Sequence, residues 1–447
     1  MNKKVGFVSL GCAKNLTDTE TMLGILTCNN FDITPDPEEA DIIVVNTCAF
    51  IESAKEESID AILDMAKYKE NKCELLIVTG CLAQRYKKQI EEELPEVDII
   101  LGTTQYSKIF EAIDEYYNGG KKGSFVEDAD KLVDYDLPRM QSTPFYSAYL
   151  KIADGCDNFC TYCIIPKLRG KYRSRPVSSI VSEAKRLAAG GVKELILVAQ
   201  DTAYYGRDSG EKPEELLEKL SEIKGIEWIR LQYCYPENIT DALINEIASN
   251  PKIVKYIDMP IQHISDNILK RMGRKSRQKE IEVLIDELRR RIPGIVIRTS
   301  LITGFPGETE EDFEVMKKFL SEYKLDKVGV FTYSAEEGTP SAEFDGQTDE
   351  DTKQRRRAEL MNIQQAVSYN INKAKIGTAV DIIIEGYDEE NFCYTGRCSF
   401  DTPDVDGCAY VYSEYELNEG DIVSAEIIDC SEYDVTAKIT GRNIDIL

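Results

Sequence analysis

The chain has 447 residues, an apolar fraction of 42%, 13 cysteines, a single histidine and a net charge of −26. The length suits about three domains and the apolar fraction suits a folded globular protein. The charge speaks against a protein whose main grip is on a phosphate backbone, and it suits a basic partner. One histidine, His263, leaves almost no room for Cys/His zinc fingers, histidine metal centres or Ser–His and Cys–His nucleophiles.

The N-terminus, MNKKVGFVSLGC, carries two lysines and a short apolar run. It reads as a first strand and not as a signal peptide. No apolar run approaches the about 18 residues of a membrane-spanning helix. Widely spread cysteines without an export signal point to the cytoplasm, where clustered cysteines mean metal or catalysis more often than disulfides.

Residues 1–134 alternate apolar strands with helical patterns: KVGFVSL and a helix from Asp18, DIIVVN and a helix from Glu52, ELLIVT and a helix from Gln84, then VDIILG. Such alternation predicts a parallel sheet covered on both faces, an α/β domain. The polar stretch EDADKLVDYDLPRMQSTP reads as a linker. Residues 145–372 hold six more strand candidates, SAYLKIA, KELILVA, EWIRLQY, VKYIDMP, IVIRTSLI and KVGVFTY, with helical patterns between them. Six βα units predict a partial TIM-like barrel. Residues 375–447 alternate short strands with turn residues and predict a small antiparallel β-barrel. From Lys373 onward there are 5 Lys/Arg against 17 Asp/Glu. The middle block is about neutral, with a basic run, KLRGKYRSR, at Lys167–Arg175. That run reads equally as a contact for RNA or an acidic side chain and as a solvated loop.

Two cysteine constellations carry the chemistry. Cys156, Cys160 and Cys163 form CxxxCxxC directly after the first barrel strand, among the loops where barrel active sites are built. Three thiolates hold three irons of a four-iron cluster and leave the fourth open to a small molecule, whereas a structural zinc wants a fourth protein ligand that no nearby residue supplies. Cys12, Cys48 and Cys81 each follow an apolar strand of the first block. In a parallel sheet those strand ends share one edge, the ligand-binding edge of α/β folds, and a second cluster is predicted there. The other cysteines (Cys28, Cys73, Cys234, Cys393, Cys398, Cys408 and Cys430) read as small residues buried or partly buried. His263 reads as structural or as part of a substrate loop.

CxxxCxxC after the first strand of a six-unit barrel resembles the radical S-adenosylmethionine superfamily. Tyr162 matches the aromatic residue that this superfamily places near the adenine. LVAQD, with Gln200 and Asp201, matches the second-strand end near the methionine moiety. LITGFPGET, with Gly304 and Pro306, resembles the fifth-strand glycine motif. A preceding three-cysteine domain and a terminal TRAM-like barrel resemble the methylthiotransferases over essentially the whole chain. SLGCAKNLTDTE, RGKYRSRP, QDTAYYGRD, YIDMPIQHISDNILKRMGR, FTYSAEEGTPSA and DTPDVDG resemble the RimO branch, which modifies an aspartate of small-subunit ribosomal protein S-twelve. The resemblance implies two 4Fe–4S clusters and S-adenosylmethionine as radical source and methyl donor. The radical takes a hydrogen from the aspartate β-carbon, and sulfur comes by way of the second cluster. It further implies a flavodoxin or ferredoxin as electron donor. A related branch acts on isopentenylated adenosine in tRNA, and the acidic terminal domain makes that substrate the poorer fit. A non-catalytic iron–sulfur carrier accounts for the cysteines but not for the glycine motif.

Overall fold

The structure is a computed structural model and describes residues 2–119, 122–131 and 134–439. The first sheet has six strands: β1 (Lys4–Ser9), β2 (Asp32–Ile33), β3 (Ile42–Thr47), β4 (Leu75–Gly80), β5 (Ile99–Leu101) and β6 (Gly123–Phe125). Their order is β2-β1-β3-β4-β5-β6 and every pair is parallel. All residues of β3 and β4 are buried, as strands covered on both faces must be. The helix read from Asp18 begins instead at Ala13, immediately after Cys12. The helix read from Gln84 is two short ones, Cys81–Arg85 and Lys87–Glu93. Within the stretch read as a linker, Arg139 is strapped down and bonds the buried carboxylates of Glu20 and Glu183.

The second sheet consists of β7 (Ser147–Lys151), β10 (Glu194–Val198), β11 (Trp228–Leu231), β12 (Ile253–Asp258), β13 (Val296–Thr303) and β14 (Lys327–Thr332). A small antiparallel ribbon of β8 (Ala153–Asp154) and β9 (Arg173–Ser174) follows β7 in the chain. The six main strands run parallel in sequence order, an open barrel with helices outside. One side of these strands packs Leu195, Leu197, Ile229, Leu231, Ile257 and Ile297 into the largest apolar core. Glu194, Arg230, Tyr256, Asp258 and Arg298 alternate with those residues along the strands and are turned to the other side.

The third unit is a closed five-stranded barrel, β15 (Ala379–Asp388), β16 (Cys393–Cys398), β17 (Ala409–Tyr412), β18 (Ile422–Cys430) and β19 (Val435–Ile439). It is antiparallel except for one parallel pair, β17 with β19. Its segment 397–406 enters the polar interior of the second sheet. Arg397 and Arg230 share the buried carboxylate of Glu194. Arg230 Nη1 donates to Ser399 O at 3.0 Å, and Gln232 Nε2 donates to Thr402 Oγ1 at 2.5 Å. Lys327 pairs with Asp401 at 2.6 Å, and the Tyr256 hydroxyl donates to Asp406 Oδ2 at 2.9 Å. Several acids of the terminal domain therefore face inward. Among the cysteines read as at least partly buried, Cys28 lies exposed at its helix end.

Burial raises the Glu194 carboxyl, but the two guanidiniums override it and hold its pKa down to about 2. The stability contributed by this ion cluster is thus complete above the ordinary carboxylate range and declines as pH falls towards about 2. Glu194→Gln leaves two buried guanidiniums short of charge. It is expected to cost about 3–5 kcal/mol in denaturant unfolding, while Lys185→Gln on an exposed helix face shifts the midpoint little.

Candidate active site between two cysteine triads

A glycine with positive φ precedes Cys12, Cys81 and Cys156 alike. At Gly11 an added Cβ would meet Cys48 Cβ at 2.9 Å and its Sγ at 3.1 Å. The Cys12 loop is therefore laid directly against Cys48. At Gly155 a Cβ would lie 1.9 Å from Lys171 O, so only glycine fits where the CxxxCxxC loop crosses the ribbon.

Asn15 ties the first triad together. Its Nδ2 donates to Leu10 O at 3.1 Å and to Thr47 O at 2.9 Å, closing the loops that carry Cys12 and Cys48. Its Oδ1 lies 3.9 Å from Cys81 Sγ. The same oxygen accepts from Arg169 Nη2, six residues beyond Cys163. Burial pushes the Cys81 thiol up to about 12, against the pull of Arg169. Desolvation by the surrounding protein also raises Cys12, reachable though it is from one side, but Lys14, Arg169 and two backbone donors overcome it and leave that thiol below its ordinary value. Cys48 and Cys81 are buried and Cys12 is exposed, so the triad opens on the Cys12 side.

The second triad sits at the C-terminal end of the second sheet. Cys163 N donates to Cys160 O at 3.0 Å, and Cys156 N to Gly170 O at 3.0 Å. Asp201 holds the loop from the end of β10. It is fully buried, and its carboxylate accepts from Asn158 at 3.2 Å, Asn238 at 2.6 Å and Tyr235 N at 3.3 Å. Burial pushes this carboxyl up to about 6 against those donors. Gln200 Nε2 donates to Asp154 while its Oε1 has no partner. Tyr162 packs edge-on against Phe305 at 6.3 Å, with Tyr333 and Phe344 around the same ring. Gly304 N donates to Glu308 Oε2 at 2.7 Å, and Pro306 O accepts from Arg271 Nε at 2.9 Å. Burial raises the Glu308 carboxyl to about 7 and lowers the nearby His263 to about 3, so the histidine is neutral.

Composition and spacing gave no sign of Arg274. It is buried, lies 4.2 Å over the Tyr235 ring, and leaves Nε and Nη1 without partners. The Tyr235 hydroxyl in turn lies 3.6 Å from Cys160 Sγ.

The two triads share one wall. Ile164 and Leu168, flanking the second triad, pack in one core with Cys81, Leu82 and Ala83. Arg169 Nη1 reaches Asp18 Oδ2 at 2.8 Å and Asp154 Oδ2 at 3.0 Å, and Lys151 pairs with both carboxylates. On the open side, Lys14 Nζ lies 3.5 Å from the centroid of the Tyr233 ring. The run Lys167–Arg175, weighed from sequence as a contact or a solvated loop, is divided, with Lys167 and Lys171 exposed and Arg173 half-buried. Arg169 and Arg175 are buried in ion pairs, and Lys167 donates to Gly338 O.

Among the described residues no group of three or more Cys, His, Asp or Glu side chains converges as a single metal ion requires. A cube of four irons spaces its thiolates more widely than one ion does. The donor set of each triad, three sulfurs and no oxygen or imidazole, suits such a cluster. The unpartnered donors of Arg274 and the acceptor of Gln200 suit a ligand with carboxylate and amino groups.

Residues 4–102 match an uncharacterized protein family, UPF0004, residues 150–320 the radical SAM superfamily, and residues 376–440 the TRAM domain. The ribosomal protein uS12 methylthiotransferase RimO of Clostridium botulinum is 53% identical over 98% of this chain and 99% of its own. The chain belongs to the RimO family of methylthiotransferases. Its relative in Geobacter sulfurreducens is 51% identical over 98% of each chain. In Acetivibrio thermocellus the identity is 49%, over 99% of this chain and 100% of the relative. The radical S-adenosylmethionine methyltransferase TsrM of Kitasatospora setae shares the fold, with a TM-score of 0.56 at 13% identity over 87% of this chain and 79% of that one. The cobalamin-dependent radical enzyme OxsB does so with a TM-score of 0.53 at 13% identity over 81% and 56%.

Asp201→Ala removes the acceptor shared by Asn158, Asn238 and Tyr235. The reconstituted variant is expected to yield iron to a chelator about tenfold faster than the parent, followed by absorbance.

Proposed function

We propose that this chain attaches a methylthio group to the β-carbon of an aspartate in ribosomal protein uS12. Cys156, Cys160 and Cys163 hold one 4Fe–4S cluster, and Cys12, Cys48 and Cys81 hold the other. The observation that carries the reading is the shared wall: two three-thiol sites joined through Arg169, Asn15 and one apolar core. Bound there, the clusters and S-adenosylmethionine supply hydrogen abstraction from carbon, the sulfur atom and the methyl group.

The chain's own residues position and enclose. Arg274, with its two free donors, holds the carboxylate of S-adenosylmethionine, and Gln200 accepts from its amino group. Tyr162, with Phe305 and Tyr333 behind it, lines the adenine side, and the stretch Gly304–Pro306 completes that wall. Asp201 fixes the cluster loop through Asn158. The exposed Cys12 side is where the aspartate enters, beneath Lys14 and Tyr233. No proton transfer at carbon is required, in keeping with a neutral, buried His263. The division into functional units follows residues 1–134, 145–372 and 375–447.

The surface of the terminal barrel supports a basic protein as substrate. Glu389, Glu390, Glu414, Glu416, Glu419 and Asp429 are exposed beside Tyr387, Phe392, Tyr412 and Tyr415. Acidic and aromatic side chains together attract Lys and Arg and repel a phosphate backbone. No helix among the described residues is long and apolar enough to cross a membrane. The place of action is the cytoplasm, where uS12 is met free or on the small subunit.

The test is mass spectrometry of anaerobically reconstituted protein with reductant, sulfide and S-adenosylmethionine, in parallel with uS12 and with unmodified tRNA. A methylthio gain on an aspartate of uS12 is expected, and a gain on tRNA alone would overturn the substrate. Cys156→Ala is expected to abolish both 5′-deoxyadenosine and product. Cys12→Ala is expected to keep 5′-deoxyadenosine and lose product, and full product from it would sink the role of the second triad.

A further inference from the structure

Arriving electrons need a route to the second triad, and the surface around it has a distinctive composition. The segment Leu269–Lys279 carries Lys270, Arg271, Arg274, Lys275, Arg277 and Lys279 and no acidic residue, in a chain of net charge −26. It is stitched to the CxxxCxxC loop: Thr161 N donates to Met272 O at 3.0 Å and Thr161 Oγ1 to Arg271 O at 2.9 Å. Arg274 points inward, whereas Lys270, Lys275 and Lys279 are exposed.

Acids border the segment, and Asp266 and Glu280, both exposed, are held by backbone N–H groups. Glu237 accepts from Ser276 Oγ and lies 3.7 Å from Arg274, Asp266 accepts from Gln278 N, and Glu280 accepts from Arg277 N. Glu282 lies 3.8 Å from Lys279, in an exposed pair that is weak and salt-screened.

Phe159 stands at the tip of this ledge. It lies between Cys156 and Cys160, is 65% exposed with all three units in place, and has φ of +48°. A phenylalanine held outward in the left-handed region costs backbone strain and apolar hydration, and folding alone rewards neither. Gly273, whose added Cβ would lie 3.5 Å from Phe159 O, joins it to the basic segment.

We propose that Phe159 with Lys270, Lys275 and Lys279 is the docking surface for an acidic one-electron carrier protein, flavin- or iron–sulfur-based. The carrier is oxidised by one electron, and the site held by Cys156, Cys160 and Cys163 is reduced by one. An exposed apolar side chain on a loop stitched to a basic segment suits a partner that must bind, deliver and leave, because steering by exposed charge raises the association rate without a large buried interface. The inference rests on the radical reading above and is separable from it by experiment.

The experiment compares Lys270→Glu/Lys275→Glu/Lys279→Glu with a charge-matched control, Lys185→Glu/Lys219→Glu/Lys224→Glu, which lies around the opposite end of the barrel. Titration calorimetry of reconstituted protein with a flavodoxin, and in a second arm with a plant-type ferredoxin, measures binding directly at two salt concentrations. 5′-Deoxyadenosine is measured with the reduced carrier and with dithionite, which needs no docking. The ledge variant is expected to bind at least about tenfold more weakly and to lose carrier-driven but not dithionite-driven cleavage, while the control keeps both. Phe159→Asn, which tolerates the left-handed backbone, is expected to weaken binding as well. Equal binding by ledge and control variants, or no binding of either carrier by the parent at low salt, overturns the proposal. Absence of dithionite-driven cleavage in loaded parent protein overturns the radical reading instead, and the calorimetry still decides the docking surface.

Discussion

Arg169 is the residue on which the arrangement of this molecule turns. It leaves the CxxxCxxC segment, enters the first domain and meets Asp18, Asp154 and Asn15 in a place closed to water. A buried guanidinium is tolerable only when every charge around it is answered. Here Lys151 balances the second carboxylate, so the cluster carries two cations against two anions. Removing any member leaves an unanswered charge between the domains. The spacing of the two cysteine triads is thus fixed by electrostatics that permits one geometry, with Ile164 and Leu168 supplying the apolar contact alongside.

A second constraint acts from below. The interior of the open barrel is polar, and its charges are matched by the segment 397–406 of the terminal barrel. Gln232 joins the two ends: its side chain contacts Thr402, while its carbonyl accepts from Thr202, next to Asp201. The chain then runs through Tyr233, with φ of +61°, to Tyr235 beside Cys160. The four residues 232–235, just beyond the end of β11, therefore connect the terminal domain with both cysteine sites.

Much of this was legible in the sequence because period and position carry it. Cys12, Cys48 and Cys81 each end an apolar strand, and a parallel sheet can only place such residues on one edge. The βα alternation likewise left one architecture for the middle block. What stayed hidden depends on contacts between distant residues. Asn15, Arg169 and Arg274 look like ordinary surface residues until their partners are known. The basic run at Lys167–Arg175 turns Arg169 and Arg175 inward and leaves Lys167 and Lys171 exposed, whereas in residues 269–279 Arg274 is buried and Lys270, Lys275 and Lys279 are exposed, a division that charge pattern alone does not reveal. The terminal acids invited one explanation, and the structure divides them between an outer face and an inner seam.

The inner seam also bears on biosynthesis. A chain leaves the ribosome N-terminus first, and domains fold as units in that order. When β7 to β14 have emerged, Glu194, Arg230, Arg298 and Lys327 already face one another, but segment 397–406 is still to come. The middle domain therefore lacks its plug until synthesis is nearly finished. Nascent and prematurely ended chains therefore leave these side chains without the partners that Arg397, Ser399, Asp401 and Asp406 supply.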